Sequence, residues 1–511
     1  MLKKIKANSK VLFIILSLVL SVPAVVGLLH SGFPLTDDGN WMVVRFSAFF
    51  EALRGGEFPV RFLTRLNNGY GYPVSDFLYP LFMYLGTPIH ILGFNFVNTI
   101  KIILVLSVFS SGLFSYLWLR KRFDNIPSLI GSAFYVLFPY FLFDIYTRGS
   151  VGEVLAISLV SFVLWQIERK SFLLISLGLA LLLTAHNTLS FLFLPFLLVY
   201  IYVVNRKFNY SIYLPFLLAL GLSSFFWIPA VYDLQYTVFF NTKVSQFSSY
   251  FINNNLGLLG ITVFFLILES IFYLFRKRDK FFLSIFLIFS LLIFSTFSYS
   301  QILWKLFPFS GLIQFPFRIL SLVIPFGAFM LSYLLSKEKN LKRTILSLIY
   351  IVLIFISASF FWTPKTIQNL PDTFYSTNVD STTVKNEYMP KWVKQVPLNY
   401  SPEKVILIDS NSKINLLDFK PNKIIFNTFF PQKAEVQVNV IYFPGWSAYV
   451  NEVKTEISYS NENGLMRVAL NKGENNVKLI FTETPVRILS DLISIISILI
   501  FIIILIKGRK I

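Results

Sequence analysis

Apolar runs about one bilayer wide alternate with short basic turns along most of this chain. By length and hydropathy they predict twelve spans, at about 11–29, 97–119, 126–143, 151–168, 171–186, 188–204, 210–231, 256–275, 281–299, 317–336, 342–361 and 486–506. The first run follows Lys3, Lys4, Lys6 and Lys10. It is long for a signal-peptide core and no small-residue cleavage site follows it, so it reads as a span. Alternate turns are then basic: Arg120-Lys121-Arg122, Arg169-Lys170, Arg206-Lys207, Arg276-Lys277-Arg278, Lys337 to Arg343 and Lys507 to Lys510. The opposite turns carry only scattered cations, Arg148, Lys243, Lys305 and Arg318. This alternation places both termini in the cytoplasm of a multi-pass cell-membrane protein. The stretch 77–93, with two prolines and two glycines, would break it by crossing and reads as re-entrant or interfacial on the outer side.

Between spans eleven and twelve the pattern changes from continuous apolar runs to short alternating ones. These are 404–408, 423–427, 434–443, 465–470 and 476–481, separated by Asn, Gly, Pro and Asp turns. Period-two alternation with such punctuation predicts a small antiparallel β-sandwich. The expected fold class is therefore a polytopic α-helical membrane protein with an extracytoplasmic β-sandwich inserted before the last span. The domains are 1–361, a membrane domain whose first outer loop is 30–96; 362–485, β-rich; and 486–511, the last span and basic tail.

Composition sharpens this picture. The 511 residues are 55% hydrophobic, with a mean hydropathy of +0.66; soluble domains sit near 45–50% apolar. The net charge of +19 lies in turns between apolar runs rather than on one soluble face, which argues against nucleic acid as a partner. There is no cysteine, so disulfides and thiolate chemistry are excluded. His30, His90 and His186 are too dispersed to suggest a multi-histidine metal centre.

The candidate chemistry concentrates in the first outer loop, Leu35 to Leu81. It holds the adjacent acids Asp37 and Asp38, the arginines Arg45, Arg54, Arg61 and Arg65, and the run Tyr70-Gly71-Tyr72-Pro73. Adjacent carboxylates resist joint ionisation, which suits a general base. They also suit a divalent cation, or the N-cap of a following helix 40–54. That helix is amphipathic, with Trp41, Val44, Phe46, Phe49, Phe50 and Leu53 able to lie in the interface while Arg45, Glu51 and Arg54 face water. Guanidinium groups pair two phosphate oxygens at once, whether on a substrate or on membrane lipids. At later outer turns, Arg148 and Glu153 flank glycines and either bind a headgroup or pair with each other. His186 is either a structural hydrogen bonder or a phosphate neighbour, and Arg318 either snorkels or binds phosphate. Glu269 stands apart near the inner side.

These residues lie in motifs that resemble a family: Asp38-Gly39 with Arg45, Ala52 to Pro59, Gly69-Tyr70-Gly71-Tyr72-Pro73, Tyr79-Pro80-Leu81, Arg148-Gly149 with Glu153, Thr184-Ala185-His186, Phe315-Pro316-Phe317-Arg318, Glu387 to Pro390 and Phe443 to Trp446. The chain resembles the membrane domain of 6-pyruvoyl-tetrahydropterin synthase-related proteins, which, despite that name, look like YfhO-like membrane glycosyltransferases of the GT-C type. The resemblance runs in order over nearly the whole chain. It implies transfer of a sugar from a polyprenyl-phosphate donor to a cell-surface glycan, lipid or protein acceptor at the outer face. It implies Asp38 as base with Asp37 supporting it, and Arg45, Arg148, His186 and Arg318 near the donor phosphate. Glu153, Tyr70 and Tyr72 then support the site, and any divalent cation would sit at Asp37 and Asp38. One departure is Met42, where the family often has histidine. Two other readings stand beside this one: a lipid-linked glycan transporter or flippase, and an inactive glycan-binding scaffold.

Overall fold

The structure, a computed structural model, describes residues 2–205, 213–241, 247–408 and 413–508. Arg206-Lys207, Lys243 and Arg509-Lys510 lie outside the described residues. Six helices are long and apolar enough to cross a bilayer: Phe96–Leu119, Asn125–Arg148, Val151–Arg169, Pro316–Lys337, Asn340–Ser359 and Pro485–Lys507. Two further pairs, Leu214–Leu222 with Ser224–Tyr236 and Lys280–Phe294 with Ser298–Leu306, bend by 71° and 92° and raise the number to eight if each is one crossing. The other expected spans are shorter apolar helices, Val11–Ala24, Phe172–Ala185 and Asn187–Val203, or the more charged Gly260–Lys277. By length and composition, six to eight helices among the described residues are long and apolar enough to cross, and the remaining expected spans fall on these shorter or more charged helices.

Local sequence explains several of these features. Helices pack closely where small residues face each other: a Cβ on Gly131 would lie 2.8 Å from the carbonyl oxygen of Ala328. At the 71° bend, backbone groups freed by the break need partners. The last helix supplies them. Ser494 Oγ accepts from the Phe225 amide (2.9 Å) and pairs with Ser224 Oγ (2.8 Å). Leu81–Ile91 is an 11-residue helix, about 16 Å long at 1.5 Å per residue, short of the roughly 30 Å hydrocarbon core. Glu269, unexplained by the sequence pattern, accepts a short hydrogen bond from the buried Tyr350 hydroxyl.

The helix expected at 40–54 forms as Gly39–Arg54, and Glu51 and Arg54 are exposed as expected, but Arg45 is not. Met42 to Phe49 are buried, and Arg45 is only 2% exposed. The cover is the segment after span eleven. Ile367–Gln368 pairs antiparallel with Phe33–Pro34, and helix Asp372–Thr377 packs on Gly39–Arg54. Ser47 Oγ donates to the Tyr375 carbonyl (2.6 Å) and the Asn68 amide to that of Val379 (2.8 Å).

The β-region holds two antiparallel sheets. One has five strands in the order Ile414–Lys420, Lys423–Phe430, Gly473–Phe481, Trp446–Val450, Val453–Thr455; the other has three, Val405–Leu407, Ala434–Ile441, Leu465–Leu470. All five expected strand runs fall on these strands. Trp446 is 4% exposed and packs with Phe62 and Phe481, which fixes the sheets to the first outer loop.

A candidate arginine and carboxylate active site

The turns at 36–39 and 147–150 meet at one place. Gly149 has φ +68°, and a Cβ there would lie 2.7 Å from the Cα of Gly39; only glycine allows both the left-handed backbone and this contact. The approach lets the Asp37 amide donate to the Thr147 carbonyl (2.9 Å) and the Asp38 amide to that of Arg148 (2.8 Å). The acidic pair is thereby bound to the turn between two buried helices.

Asp38 occupies the N-cap position of Gly39–Arg54 but makes no side-chain cap bond. Thr36 Oγ1 instead accepts from the Gly39 amide (3.0 Å). The capping alternative is thus overturned, and the half-buried Asp38 carboxylate is left for other work. Its charge acts on both Arg148 and Tyr79. Asp37 is exposed, and its pKa is raised by partial desolvation and by the Asp38 charge, against the lowering effect of Arg148. The Tyr79 hydroxyl is pushed up to about 12, first by burial.

Behind Asp38 lies a buried ionic cluster. Arg148 Nη1 donates to Asp144 Oδ1 (2.9 Å) and Glu153 Oε1 (2.5 Å). Arg318 Nε donates to the same Glu153 oxygen (2.9 Å), and its Nη1 to Gln314 Oε1 (2.7 Å). The Tyr140 hydroxyl donates to Glu153 Oε2 (2.7 Å). The Leu189 amide donates to His186 Nδ1 (3.2 Å), so a neutral ring carries its proton on Nε2, 3.7 Å from Glu153 Oε1. Tyr79 packs on this imidazole, ring centroids 4.6 Å apart. Phe315 lies under both guanidiniums and Phe317 under that of Arg148.

Both guanidiniums keep spare donors. Among the described residues, Nε and Nη2 of Arg148 and Nη2 of Arg318 have no hydrogen-bond partner. Two arginines held 2.5–2.9 Å from one carboxylate oxygen, with free donors remaining, have the chemistry to take an oxyanion.

Of the residues singled out from sequence, Asp37, Asp38, Arg148, Glu153, His186 and Arg318 converge here. Arg45 stands beside them but is committed. Its Nη2 and Nε donate to the Thr382 carbonyl (2.7 Å) and hydroxyl (3.3 Å), and Nη1 meets Met42 Sδ (3.4 Å). Tyr72, buried, bonds Thr383 Oγ1 and the Tyr388 amide, both at 3.0 Å. Tyr70 contributes its carbonyl to the Ile441 amide (2.7 Å), a contact with the β-region rather than with the arginines. Glu153, expected as a supporting acid, is the central anion with both oxygens occupied. Asp144 and Tyr140 escaped sequence reading, and Tyr79 and Gln314 stood in or beside noted motifs without a role. Asp144 had one usable signal, its i,i+4 spacing from Arg148.

Among the described residues no group of three or more histidine, cysteine or carboxylate side chains is arranged to hold a metal ion. Asp37 and Asp38 fit the sparser Mg²⁺ pattern, in which one or two carboxylates share the ion with substrate phosphates and water.

Comparison with known proteins adds a family and several likenesses. Residues 76–365 match the model of the 6-pyruvoyl-tetrahydropterin synthase related domain, described as a membrane protein. An uncharacterized protein of Lactococcus lactis subsp. cremoris (strain MG1363) is 24% identical over 276 residues, covering 50% of this chain and 44% of that protein. The chain therefore matches less than half the length of that curated relative. Among solved structures, the Archaeoglobus fulgidus oligosaccharyltransferase tethered with an NVT-sequon acceptor peptide has a TM-score of 0.44 at 14% identity, covering 74% of this chain and 60% of that one. The arabinofuranosyltransferase AftD from Mycobacteria has a TM-score of 0.44 at 17% identity, covering 70% and 27%.

Proposed function

This chain belongs to the 6-pyruvoyl-tetrahydropterin synthase related family of membrane proteins, and from that premise we propose that it is a GT-C-like membrane glycosyltransferase. It moves a sugar from a polyprenyl-phosphate donor to a cell-surface acceptor at the outer face, with twelve spans and both termini cytoplasmic. One observation carries the reading: Asp38, with its side chain free of capping, is joined through its amide to the carbonyl of Arg148, whose guanidinium shares Glu153 with that of Arg318.

The residues divide the work as follows. Arg148 and Arg318 receive the donor phosphate through their spare nitrogens and stabilise the charge that builds on it as the glycosidic bond breaks. Glu153, Asp144 and Tyr140 fix those guanidiniums, and His186 supports Glu153. Asp38 accepts the proton that the acceptor hydroxyl loses as it attacks the anomeric carbon. Asp37 raises the proton affinity of the pair through like-charge proximity. Arg45 holds the 380–383 segment over the site.

A transporter needs polar groups through the depth of the membrane. Here the free donors gather at one turn cluster, which favours chemistry over conduction. The test is transfer from a radiolabelled polyprenyl-phosphate sugar in membranes containing the full chain. Label should pass to a lipid-free or acceptor fraction with wild type and not with Asp38→Asn. Equal transfer by both would overturn the reading.

A further inference from the structure

A polar cleft of about 470 Å³ opens between the first outer loop and the 377–398 segment. This volume lies within the roughly 300–1,000 Å³ of small-molecule sites. Nothing in the charged site uses it, yet the two share a wall. Thr382 holds Arg45 and Thr383 holds Tyr72, while the neighbouring Asp380, Ser381 and Asn386 line the cleft. Arg45 in turn acts electrostatically on Tyr79 and Tyr388 beside the arginine cluster.

The lining has an uncommon chemistry. Four of its residues are asparagines, Asn67, Asn68, Asn378 and Asn386, joined by Asp380 and Ser381. Several are anchored on one side only. Asn67 Nδ2 donates to the Gly71 carbonyl (3.3 Å) and Asn68 Nδ2 to that of Pro397 (3.0 Å). Asn378 Oδ1 accepts from the Asp380 amide (2.9 Å), and Asp380 Oδ1 from that of Thr382 (2.8 Å). Among the described residues, the remaining Oδ1 of Asn67 and Asn68, Nδ2 of Asn378, Oδ2 of Asp380, Oγ of Ser381 and the Asn386 amide have no hydrogen-bond partner. No lysine, arginine or histidine lines the cleft, and Val379, Val396 and Leu398 give it an apolar side.

Interleaved amide donors and acceptors, one half-used carboxylate and an apolar wall match a ligand whose groups both donate and accept and which has a C–H face. Phosphates and sulfates lack a cation here. The geometry points to a binding subsite for a neutral, hydroxyl-rich carbohydrate, the acceptor chain, held on the far side of the 380–388 segment from the arginines. The assignment to the acceptor rests on the glycosyl-transfer reading; the binding does not.

Binding is therefore measured apart from transfer, on the purified full chain in detergent. The probes are maltotriose, triacetylchitotriose and trigalacturonate, observed by saturation-transfer NMR and titration. At least one neutral trisaccharide should receive saturation at its ring protons, equally with wild type and Asp38→Asn. The double variant Asn378→Ala/Ser381→Ala should weaken it roughly tenfold, the loss of two ordinary hydrogen bonds. Leu398→Trp, at an exposed position, fills the cleft without removing a polar contact and should also weaken it; an unchanged thermal transition shows that both variants fold. No saturation of either neutral probe with wild type would overturn the subsite, as would tighter binding of trigalacturonate or unaltered binding by both variants. Retained binding with no sugar transfer from any donor would leave the subsite standing and sink the transfer reading instead.

Discussion

Arg318 Nε lies 2.9 Å from Glu153 Oε1, a pair that joins positions 165 residues apart in a buried site. The same oxygen receives Arg148 Nη1. One carboxylate thus sets the positions of two guanidiniums. Glu153→Gln keeps the shape but removes the charge, leaving two buried arginines with Asp144 as their remaining acid in the cluster. Breaking a buried pair in this way costs about 3–5 kcal/mol. The thermal transition of the detergent-solubilised variant should fall markedly. A transition equal to wild type would mean that the cluster does not hold these turns together.

Topology can be read directly because the chain has no cysteine. Single cysteines at Lys121, in a basic turn, and at Val453, 68% exposed on a strand of the five-stranded sheet, should behave oppositely. In intact cells an impermeant thiol reagent should label only the Val453→Cys protein. Labelling at position 121 would reverse the proposed orientation.

Much of this arrangement was legible because its signals are local. Apolar length located the helices, and period-two alternation located the strands around Phe426, Val438, Val468 and Leu479, whose inward faces are buried. Three strands of the two sheets escaped for physical reasons. Val453–Thr455 is three residues long with no buried position. Ile414–Lys420 has no fully buried position, so no apolar alternation marks it. Trp446–Val450 alternates in burial, but its inward Ala448 is small. Bends were invisible too, because the 71° break is satisfied by Ser494 from a distant helix. In the site, Asp38, Arg148, His186 and Arg318 stood out as polar groups at outer turns. Arg45 was misjudged because an isolated amphipathic helix shows a cation facing water; the Thr382 carbonyl that takes it comes from 337 residues away.

Glu57 carries a pH dependence. Its carboxyl is buried, with Oε1 accepting from the Arg61 (2.6 Å) and Phe62 (2.9 Å) amides and Oε2 lacking a partner among the described residues. Burial pushes its pKa up to about 7, against those two hydrogen bonds. The native state therefore binds the proton more tightly than the unfolded chain, whose carboxyl titrates near its ordinary value. Stability should fall as pH rises from about 4.5 through about 7, by up to about 3 kcal/mol for this group. Glu57→Gln keeps an acceptor for both amides and removes the titration. Its thermal transition should exceed that of wild type at pH 8 and match it near pH 4.5. A constant offset between the two pH values would show that Glu57 is not the titrating group.

A second buried network ties the last helix to the rest. Arg487, fully buried, donates from Nε to Asp233 Oδ2 (2.9 Å), from Nη2 to Asp76 Oδ2 (3.3 Å) and from Nη1 to the Pro444 carbonyl (2.9 Å). It joins the first outer loop, the bent helix and the turn that enters a β-strand. Arg487→Met should destabilise by about 3–5 kcal/mol, because it leaves Asp76 and Asp233 buried together with their shared cation gone. Adding Asp233→Asn and Asp76→Asn should recover part of that loss. Limited proteolysis of the single variant should cut near 444–446 faster than in wild type; unchanged cutting would mean that Arg487 does not anchor this turn.

The decisive contrast lies between Asp38 and Arg318. An acceptor hydroxyl attacking an anomeric carbon must shed its proton as the new bond forms, and a positioned carboxylate supplies roughly 10²–10⁴-fold by taking it. The Asp38 side chain makes no cap bond, so Asp38→Asn should leave folding and donor binding near wild type while lowering turnover by about that factor. Arg318 differs in kind. It contacts Glu153, Gln314 and the Ile313 carbonyl and keeps one free nitrogen among the described residues. Arg318→Ala should weaken donor binding as well as turnover, by a charged hydrogen bond worth about 1.5–3 kcal/mol. Binding of a fluorescent polyprenyl phosphate to the two purified variants separates the roles. If Asp38→Asn lost donor affinity while Arg318→Ala kept it, the assignment of base and phosphate receptor would be inverted, because a base acts on turnover and a phosphate receptor must act on both.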